Sequence, residues 1–368
     1  MKPLFLFVVL LLAPMAALPQ NAKIDSLKRV IETTKVDTVR GRTLCRLCGE
    51  LRKVGKLEEG LAAGERGLEL SRKLGDRMGE GSCLSNIGVT YKIQGDYPRA
   101  HEYYQRSLKI REEIGDRAGV AMSLNNIGNI YNLQGDYARA HEYYQRSLKI
   151  DEELGNRAGV AISLNNIGNV YNLQGDYPRA LEYHQRSLNI YEEIGNRVGV
   201  AISLNNIGTI YKDQSDYARA LEYLQQSLKI KEEIGDRAGV AMSLSNIGST
   251  YIKLGQPKTA RDFAQKGLKI AQEVGHLDYK QDAAQVLYHA DSALGNWKRA
   301  FEAARLYHIY SDSMKNDEQS HELGRLESKA EYEKQAEIDR LKNEAEKKRE
   351  RERITWMLGS AAGGLVLL

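Results

Sequence analysis

Residues 116–155 read DRAGVAMSLNNIGNIYNLQGDYARAHEYYQRSLKIDEELG, and residues 156–195 repeat them almost unchanged as NRAGVAISLNNIGNVYNLQGDYPRALEYHQRSLNIYEEIG. The period is therefore 40 residues. Counting outward in both directions gives seven units, the last of them degraded: 36–75, 76–115, 116–155, 156–195, 196–235, 236–275 and 276–315. Because a fixed period of this length is typical of stacked supersecondary units, the sequence predicts a repeat array rather than one central core.

Each unit is predicted to contain two helices. In residues 116–155 a first apolar stripe at helical spacing comprises Leu124, Ile127, Gly128 and Tyr131. Gly135 and Asp136 interrupt this pattern, and a second stripe comprises Tyr137, Ala140, Tyr144 and Leu148. Gly155 suits a helix C-terminus, and Asn156 can cap the next helix.

These residues resemble the tetratricopeptide repeat (TPR) family. The family pattern of small, aromatic and glycine positions is matched in register by Ile127, Gly128, Tyr131, Gly135, Ala140, Tyr144 and Ser147. The match covers about residues 36–315, although these units have 40 residues where the usual TPR has about 34. Such lengthening resembles the long-repeat branch that includes kinesin light chains. The resemblance implies an all-α TPR solenoid, a right-handed superhelix whose concave face is lined by the first helices.

Composition argues against a nucleic-acid partner. The formal net charge is only +4, and residues 340–353 contribute a local excess of basic side chains. Residues 116–155 instead have six acidic and four basic side chains, so the repeated part offers no basic face. The tyrosines recur at fixed repeat positions, which favours packing over base stacking.

The chain shows no motif of an enzyme. It has no glycine-rich phosphate loop, nucleophile elbow or HExxH sequence, so we predict no catalytic residue, no cofactor and no metal site. Cys45 and Cys48 form a C-x-x-C, but no second such pair could complete a zinc site. They occupy small-residue positions of the repeat, as does Cys83, so we interpret them as helix residues. A Cys45–Cys48 disulfide remains an alternative.

Asparagines concentrate on one face of the first helices, roughly opposite the apolar stripe. They are Asn125, Asn126, Asn129 and Asn132, then Asn165, Asn166, Asn169 and Asn172, then Asn205 and Asn206. Each Asn costs a helix roughly 0.5 kcal/mol relative to Ala, so their clustering calls for a compensating role. One role is a peptide-binding groove, which the TPR resemblance favours. The other is hydrogen bonding between adjacent first helices, and the two are compatible.

The ends of the chain differ from the repeats. Residues 1–19 have the pattern of a secretory signal peptide, and 20–35 are predicted to form a capping segment. Residues 316–353 predict a charged helix that could pair as a coiled coil with a second copy. Residues 354–368 predict the truncated start of a transmembrane helix.

The order of these parts resembles a family of bacterial membrane signalling proteins with TPR sensors. That resemblance implies an exported, extracytoplasmic repeat domain that is anchored in the membrane at its C-terminus. We therefore expect a protein- or peptide-binding TPR module that serves as the sensor of a single-pass signalling protein. The alternative is a non-signalling envelope scaffold that assembles protein complexes.

Overall fold

The computed structural model describes residues 18–313, which form fifteen helices and no strand. A lead-in helix α1 (Leu18–Thr33) precedes seven helix pairs. The first helices of the pairs are α2 (Asp37–Lys53), α4 (Arg77–Ile93), α6 (Arg117–Leu133), α8 (Arg157–Leu173), α10 (Arg197–Asp213), α12 (Arg237–Lys253) and α14 (Leu277–Ala293). The second helices are α3 (Leu57–Lys73), α5 (Tyr97–Glu113), α7 (Tyr137–Glu153), α9 (Tyr177–Glu193), α11 (Tyr217–Glu233), α13 (Pro257–Val274) and α15 (297–313).

One kind of turn joins nearly all of these helices. Between α6 and α7, Gly135 adopts a left-handed conformation with φ of 76°, which a side chain would disfavour. Asp136 then caps α7, because its Oδ1 accepts a hydrogen bond of 3.0 Å from the backbone N–H of Arg139. The cap at Asn156 that the sequence predicts is present as well, with its Oδ1 3.3 Å from the N–H of Gly159. Pro98 lies in the first turn of α5, where no N–H is needed.

The core lies between the two helices of each pair and between neighbouring pairs. Leu124 and Ile127 of α6 are almost fully buried. Gly128 lets α6 approach α7 closely, since a Cβ built at Gly128 would lie 2.6 Å from the ring of Tyr144. Each first helix also packs on the first helix of the next pair, as α6 does on α8. The predicted all-α TPR solenoid is thus confirmed.

The predicted membrane-anchored, exported localisation is wrong. Within the described part of the chain, no helix is long and apolar enough to cross a membrane. Most of these helices have 17 residues and carry charged side chains, whereas a span needs about 20 predominantly apolar residues. The predicted signal peptide, residues 1–19, lies outside the described residues except for its last two, which begin α1. The predicted charged helix with its dimer contact and the predicted transmembrane segment lie outside them entirely.

Candidate functional site

On α6 and α8 the first helices present a face that is free of charge, whereas on α10 Asp213 takes the place that Leu133 has on α6. On α6 it consists of Met122, Asn126, Asn129 and Leu133, which are spaced four, three and four residues apart and so lie on one side of the helix. We call this surface, with the equivalent residues of the other first helices, the amide face. Met122 and Leu133 are 46% and 50% exposed, and the two asparagines between them are half-buried.

Hydrogen bonds between asparagines connect successive first helices. The Nδ2 of Asn166 on α8 donates to the Oδ1 of Asn125 on α6 over 2.8 Å. The same bond joins Asn206 to Asn165 over 3.0 Å and Asn246 to Asn205 over 3.3 Å. These amides form a ladder from α6 to α12, which is the structural role that the asparagine pattern allowed.

Side chains of the second helices and of neighbouring first helices make further hydrogen bonds to this ladder. Asn125 is 8% exposed, and its Nδ2 donates to the hydroxyls of Ser147 and Ser163 over 3.0 and 2.8 Å. The hydroxyl of Tyr144 donates to the Oδ1 of Asn129 over 2.8 Å. Asn169 accepts a further bond of 3.3 Å from Asn206. Side chains that the sequence analysis assigned only to packing therefore fix the positions of the amides.

His184 occupies the place in α9 that Tyr144 occupies in α7. Its Nδ1 lies 3.0 Å from the Oδ1 of Asn165, which also accepts from Asn206. Because an amide oxygen can only accept hydrogen bonds, the ring nitrogen that faces it must be the donor, and we assign the proton to Nδ1. The Nε2 atom is then a buried acceptor without a partner. Burial lowers the pKa of His184 to about 4, because the charged ring would lose its hydration.

Three of the ten predicted asparagines take no part in the ladder. The side chains of Asn126, Asn132 and Asn172 make no hydrogen bond within the described structure, and the Oδ1 atoms of Asn132 and Asn172 are buried without a donor. The other seven are bonded as described: Asn125, Asn129, Asn165, Asn166, Asn169, Asn205 and Asn206. The structure thus divides one sequence pattern into bonded and unbonded amides.

Exposed apolar side chains flank the amides along both edges of the face. One row comprises Met122, Ile162 and Ile202, which are 46%, 46% and 43% exposed. The other row comprises Leu133 and Leu173, which are 50% and 54% exposed. Apolar rows beside free amides can contact the side chains and the backbone of an extended peptide, respectively.

The cysteines pair differently from the C-x-x-C alternative. Cys45 of α2 is joined to Cys83 of α4, with their Cα atoms 4.9 Å apart, and Cys48 is a buried free thiol. The two linked positions match Asn125 and Ser163, which are also 38 residues apart and hydrogen-bonded. The neighbouring first helices therefore meet at the same place at both sites. Among the described residues, no group of three or more His, Cys, Asp or Glu side chains could hold a metal ion.

Stacked helix pairs with a continuous polar and apolar face on their first helices define a helical repeat protein of the binding class. A family model described as tetratricopeptide repeat matches residues 40–113, 102–153, 119–193, 159–233 and 199–273. The chain belongs to the tetratricopeptide repeat family, whose modules bind proteins. No curated protein matches the chain.

Several solved structures share this fold. A Rap protein complexed with Competence and Sporulation Factor is 14% identical, with a TM-score of 0.59, over 82% of this chain and 99% of that one. BtubC (BKLC) from P. vanneervenii is 23% identical, with a TM-score of 0.52, over 60% and 92% of the two chains. A STAND protein with a TPR sensor from Pyrococcus horikoshii is 16% identical, with a TM-score of 0.56, over 83% and 49%.

Proposed function

We propose that the amide face binds an extended peptide segment of a partner protein, chiefly across α6, α8 and α10. The observation that carries this proposal is that two rows of exposed apolar side chains flank asparagines whose side chains have no hydrogen-bond partner within the described structure. Asn126 can donate and accept hydrogen bonds, as a peptide backbone requires, and the Nδ2 atoms of Asn132 and Asn172 can donate to its carbonyl groups. Ile162 and its neighbours can take up apolar side chains of the ligand.

The chemistry of the face fits a backbone better than a charged metabolite. No Lys, Arg, Asp or Glu lies in the stripes of α6 and α8 that form its centre. An uncharged surface of repeated amides recognises main-chain groups, which recur along any extended peptide at a fixed spacing. The Rap protein of similar fold is described in complex with Competence and Sporulation Factor, which supports ligand binding by arrays of this kind.

A second role belongs to the bonded amides. Asn166 and Asn206 each bridge to the preceding first helix, so they stabilise the stacking of the array whether or not a ligand is present. An array held rigid in this way presents its binding residues without an ordering cost. The bonded asparagines therefore position the face, and the unbonded ones contact the ligand.

The test separates these two sets by mutation. The full chain is used to select binders from a phage-displayed library of random 12-residue peptides, and one selected peptide is labelled for fluorescence anisotropy. We expect N126A/N132A/N172A to bind it about tenfold or more weakly, with an unchanged free energy of unfolding. The matched variant N166A/N206A should lose stability, by about 1 kcal/mol for each ladder bond. If the first variant binds like wild type, or if the library yields no binder, the proposal is wrong.

A further inference from the structure

A cavity of about 370 Å³ lies where the C-terminal end of α7 meets α8 and α9. Its floor consists of Val160, Leu164 and Ile190, all of which are buried. Since successive residues of a helix are rotated by about 100°, Val160 and Leu164 lie on the side of α8 that is opposite to Ile162 and Asn166. The cavity is therefore separate from the amide face.

One residue distinguishes this cavity from the same place in the preceding helix pair. Besides the floor, its lining comprises Glu152, Gly155, Arg157, Arg186 and Asn189. The matching residues one repeat earlier are Glu112, Gly115, Arg117, Val120, Leu124, Arg146 and Ile150. Each of these has the same type as its counterpart, and only Asn189 differs, because Lys149 stands in its place. The pair α6 and α7 thus has the whole lining except the asparagine.

The asparagine and the lysine point in opposite directions along their helices. The Oδ1 of Asn189 accepts a hydrogen bond of 2.9 Å from the Nε2 of Gln185, so this short side chain turns toward the N-terminal end of α9. Lys149 turns toward the C-terminal end of α7, where Arg117 and, less strongly, Lys149 lower the pKa of Glu153. A lysine at this position therefore extends along the edge of the cavity, whereas Asn189 leaves the edge open.

The rim of the cavity carries two guanidinium groups with unused donors. One nitrogen of Arg157 pairs with the carboxylate of Glu193, and its other nitrogens make no hydrogen bond within the described structure. Arg186 lies 3.8 Å from the carboxylate of Glu182, which is too far for a hydrogen bond. Glu152 is the one carboxylate in the lining. The free donors of two guanidinium groups match the oxygens of a bound carboxylate, so the rim favours an anion.

We propose that this cavity binds a small carboxylic acid with an apolar body. The body lies on the floor of the cavity, and the carboxylate accepts charge-assisted hydrogen bonds from Arg157 and Arg186. Small-molecule sites have volumes of roughly 300–1,000 Å³, and this cavity lies at the low end of that range, which suits an acid of the size of phenylbutyrate. The site goes beyond the proposed function, because it is on the other side of α8 from the amide face.

The first experiment measures the binding of a probe acid to the full chain. The probe is para-fluorophenylbutyrate, and the width of its fluorine NMR signal is followed as protein is added. We expect a dissociation constant on the order of 1 mM for wild type. The matched amide, para-fluorophenylbutyramide, should bind about tenfold more weakly, because it lacks the charge. No broadening of the acid signal by wild type, or equal affinity for acid and amide, overturns the inference.

The second experiment moves the site from one helix pair to another. N189K should weaken the binding of the acid about tenfold or more, because it places a lysine along the edge of the cavity. K149N should open an equal cavity in the preceding pair, so the bound fraction of a dilute probe should rise about twofold. K149N/N189K should bind the acid like wild type.

Both substituted residues are exposed, so the free energy of unfolding, measured by urea denaturation, should stay unchanged. Binding by N189K that equals that of wild type overturns the inference. No gain from K149N overturns it as well, because the shared lining residues would then not hold the acid.

The third experiment tests the guanidinium. R186Q gives α9 the glutamine that stands at the matching position of α11, Gln226. We expect R186Q to bind the acid about tenfold more weakly and the amide as wild type does. R106Q is the matched control, because it removes the same charge from α5, outside the cavity, and it should bind the acid like wild type. Equal affinities of R186Q and R106Q for the acid overturn the inference.

Discussion

The amide face and the buried contacts between helix pairs differ in how far their residues repeat from one pair to the next. Along the amide face, Asn126, Asn166 and Asn206 repeat one side chain at one position of successive first helices. At the C-terminal part of the second helices, one buried position holds a different residue in each of four successive pairs, α5, α7, α9 and α11. We call its occupants the junction residues, and they are Arg111, Asp151, Tyr191 and Lys231, each no more than 6% exposed.

Two of the junction residues bond to the capping residue of the next first helix. Arg111 makes an ion pair of 2.5 Å with Asp116. Asp151 accepts a bond of 2.7 Å from the side-chain amide of Asn156. The other two make different contacts: Lys231, which precedes Asp236, donates to the hydroxyl of Ser243 over 2.9 Å, and the ring of Tyr191 lies against Gly199. The two cations precede an aspartate, and the buried aspartate precedes a neutral donor.

This difference separates recognition from assembly. A repeated face suits a ligand whose backbone is itself repetitive. Repeated junctions would instead allow near-identical helix pairs to stack in the wrong order, which is a known failure of repeat proteins. Because the junction residues differ, a wrong order is penalised. If α7 packed on the N-terminus of α6 and not on that of α8, Asp151 would lie beside Asp116 and two carboxylates would be buried together. We infer that the junction residues specify the order of the pairs.

The largest effect is expected from breaking one junction. D116N keeps the cap, because Asn also accepts the bond from Gly119, but it leaves the buried Arg111 without a carboxylate. We expect it to lower the free energy of unfolding by about 3 kcal/mol, measured by urea denaturation followed by circular dichroism. D136N is the matched control, because Asp136 caps α7 but pairs with the exposed Arg139. Its cost should stay under about 1 kcal/mol, and equal costs for the two variants would contradict the matching of junctions.

The repetitive features of this fold can be read from its sequence. The helix pairs, the left-handed turn at Gly135 and the cap at Asn156 follow from local patterns, since apolar spacing and turn chemistry act within a few residues. The all-α solenoid and the family follow from the same signals.

The contacts between pairs could not be predicted in this way. Arg111 has no local signature, since its partner depends on how α5 packs against α6. The bond between Cys45 and Cys83 likewise joins residues on different helices, so the C-x-x-C spacing gave no hint of it. The ten asparagines looked alike because their environment, bonded or unbonded, depends on the side chains of the next helix. Only a structure supplies those neighbours.

A smaller effect is expected from the one histidine that supports the ladder. Because the pKa of His184 is about 4 in the folded chain and about 6.5 when unfolded, the unfolded chain binds a proton first as the pH falls. Stability from His184 is therefore complete above pH 6.5 and is lost progressively from there down to about pH 4. At pH 5 the loss is about 2 kcal/mol.

The variant H184Y should remove this acid sensitivity. It restores the tyrosine found at Tyr144, whose hydroxyl donates to Asn129, and Asn169 offers the same acceptor. The free energy of unfolding of H184Y minus that of wild type should be about 2 kcal/mol larger at pH 5 than at pH 7.5, measured by urea denaturation at both pH values. The reverse change, Y144H, should create the same sensitivity in the preceding pair. Parallel pH profiles for wild type and H184Y would show that His184 is not the source.

The smallest effect concerns the repeated turn, which is uniform except at Ser215. This residue has a φ of 63°, where the turns at Gly175 and Gly135 have 77° and 76° with glycine. A left-handed conformation costs a non-glycine residue about 1 kcal/mol. Glycine avoids this cost, but it loses more chain entropy on folding, which offsets part of the gain. S215G should therefore stabilise the chain by roughly 0.5 kcal/mol, and G175S should destabilise it by a similar amount. Because the two turns join equivalent helices, the changes in the midpoint of urea denaturation should be opposite in sign. A gain from both substitutions would mean that the neighbours of each turn, and not its backbone conformation, determine which residue is preferred.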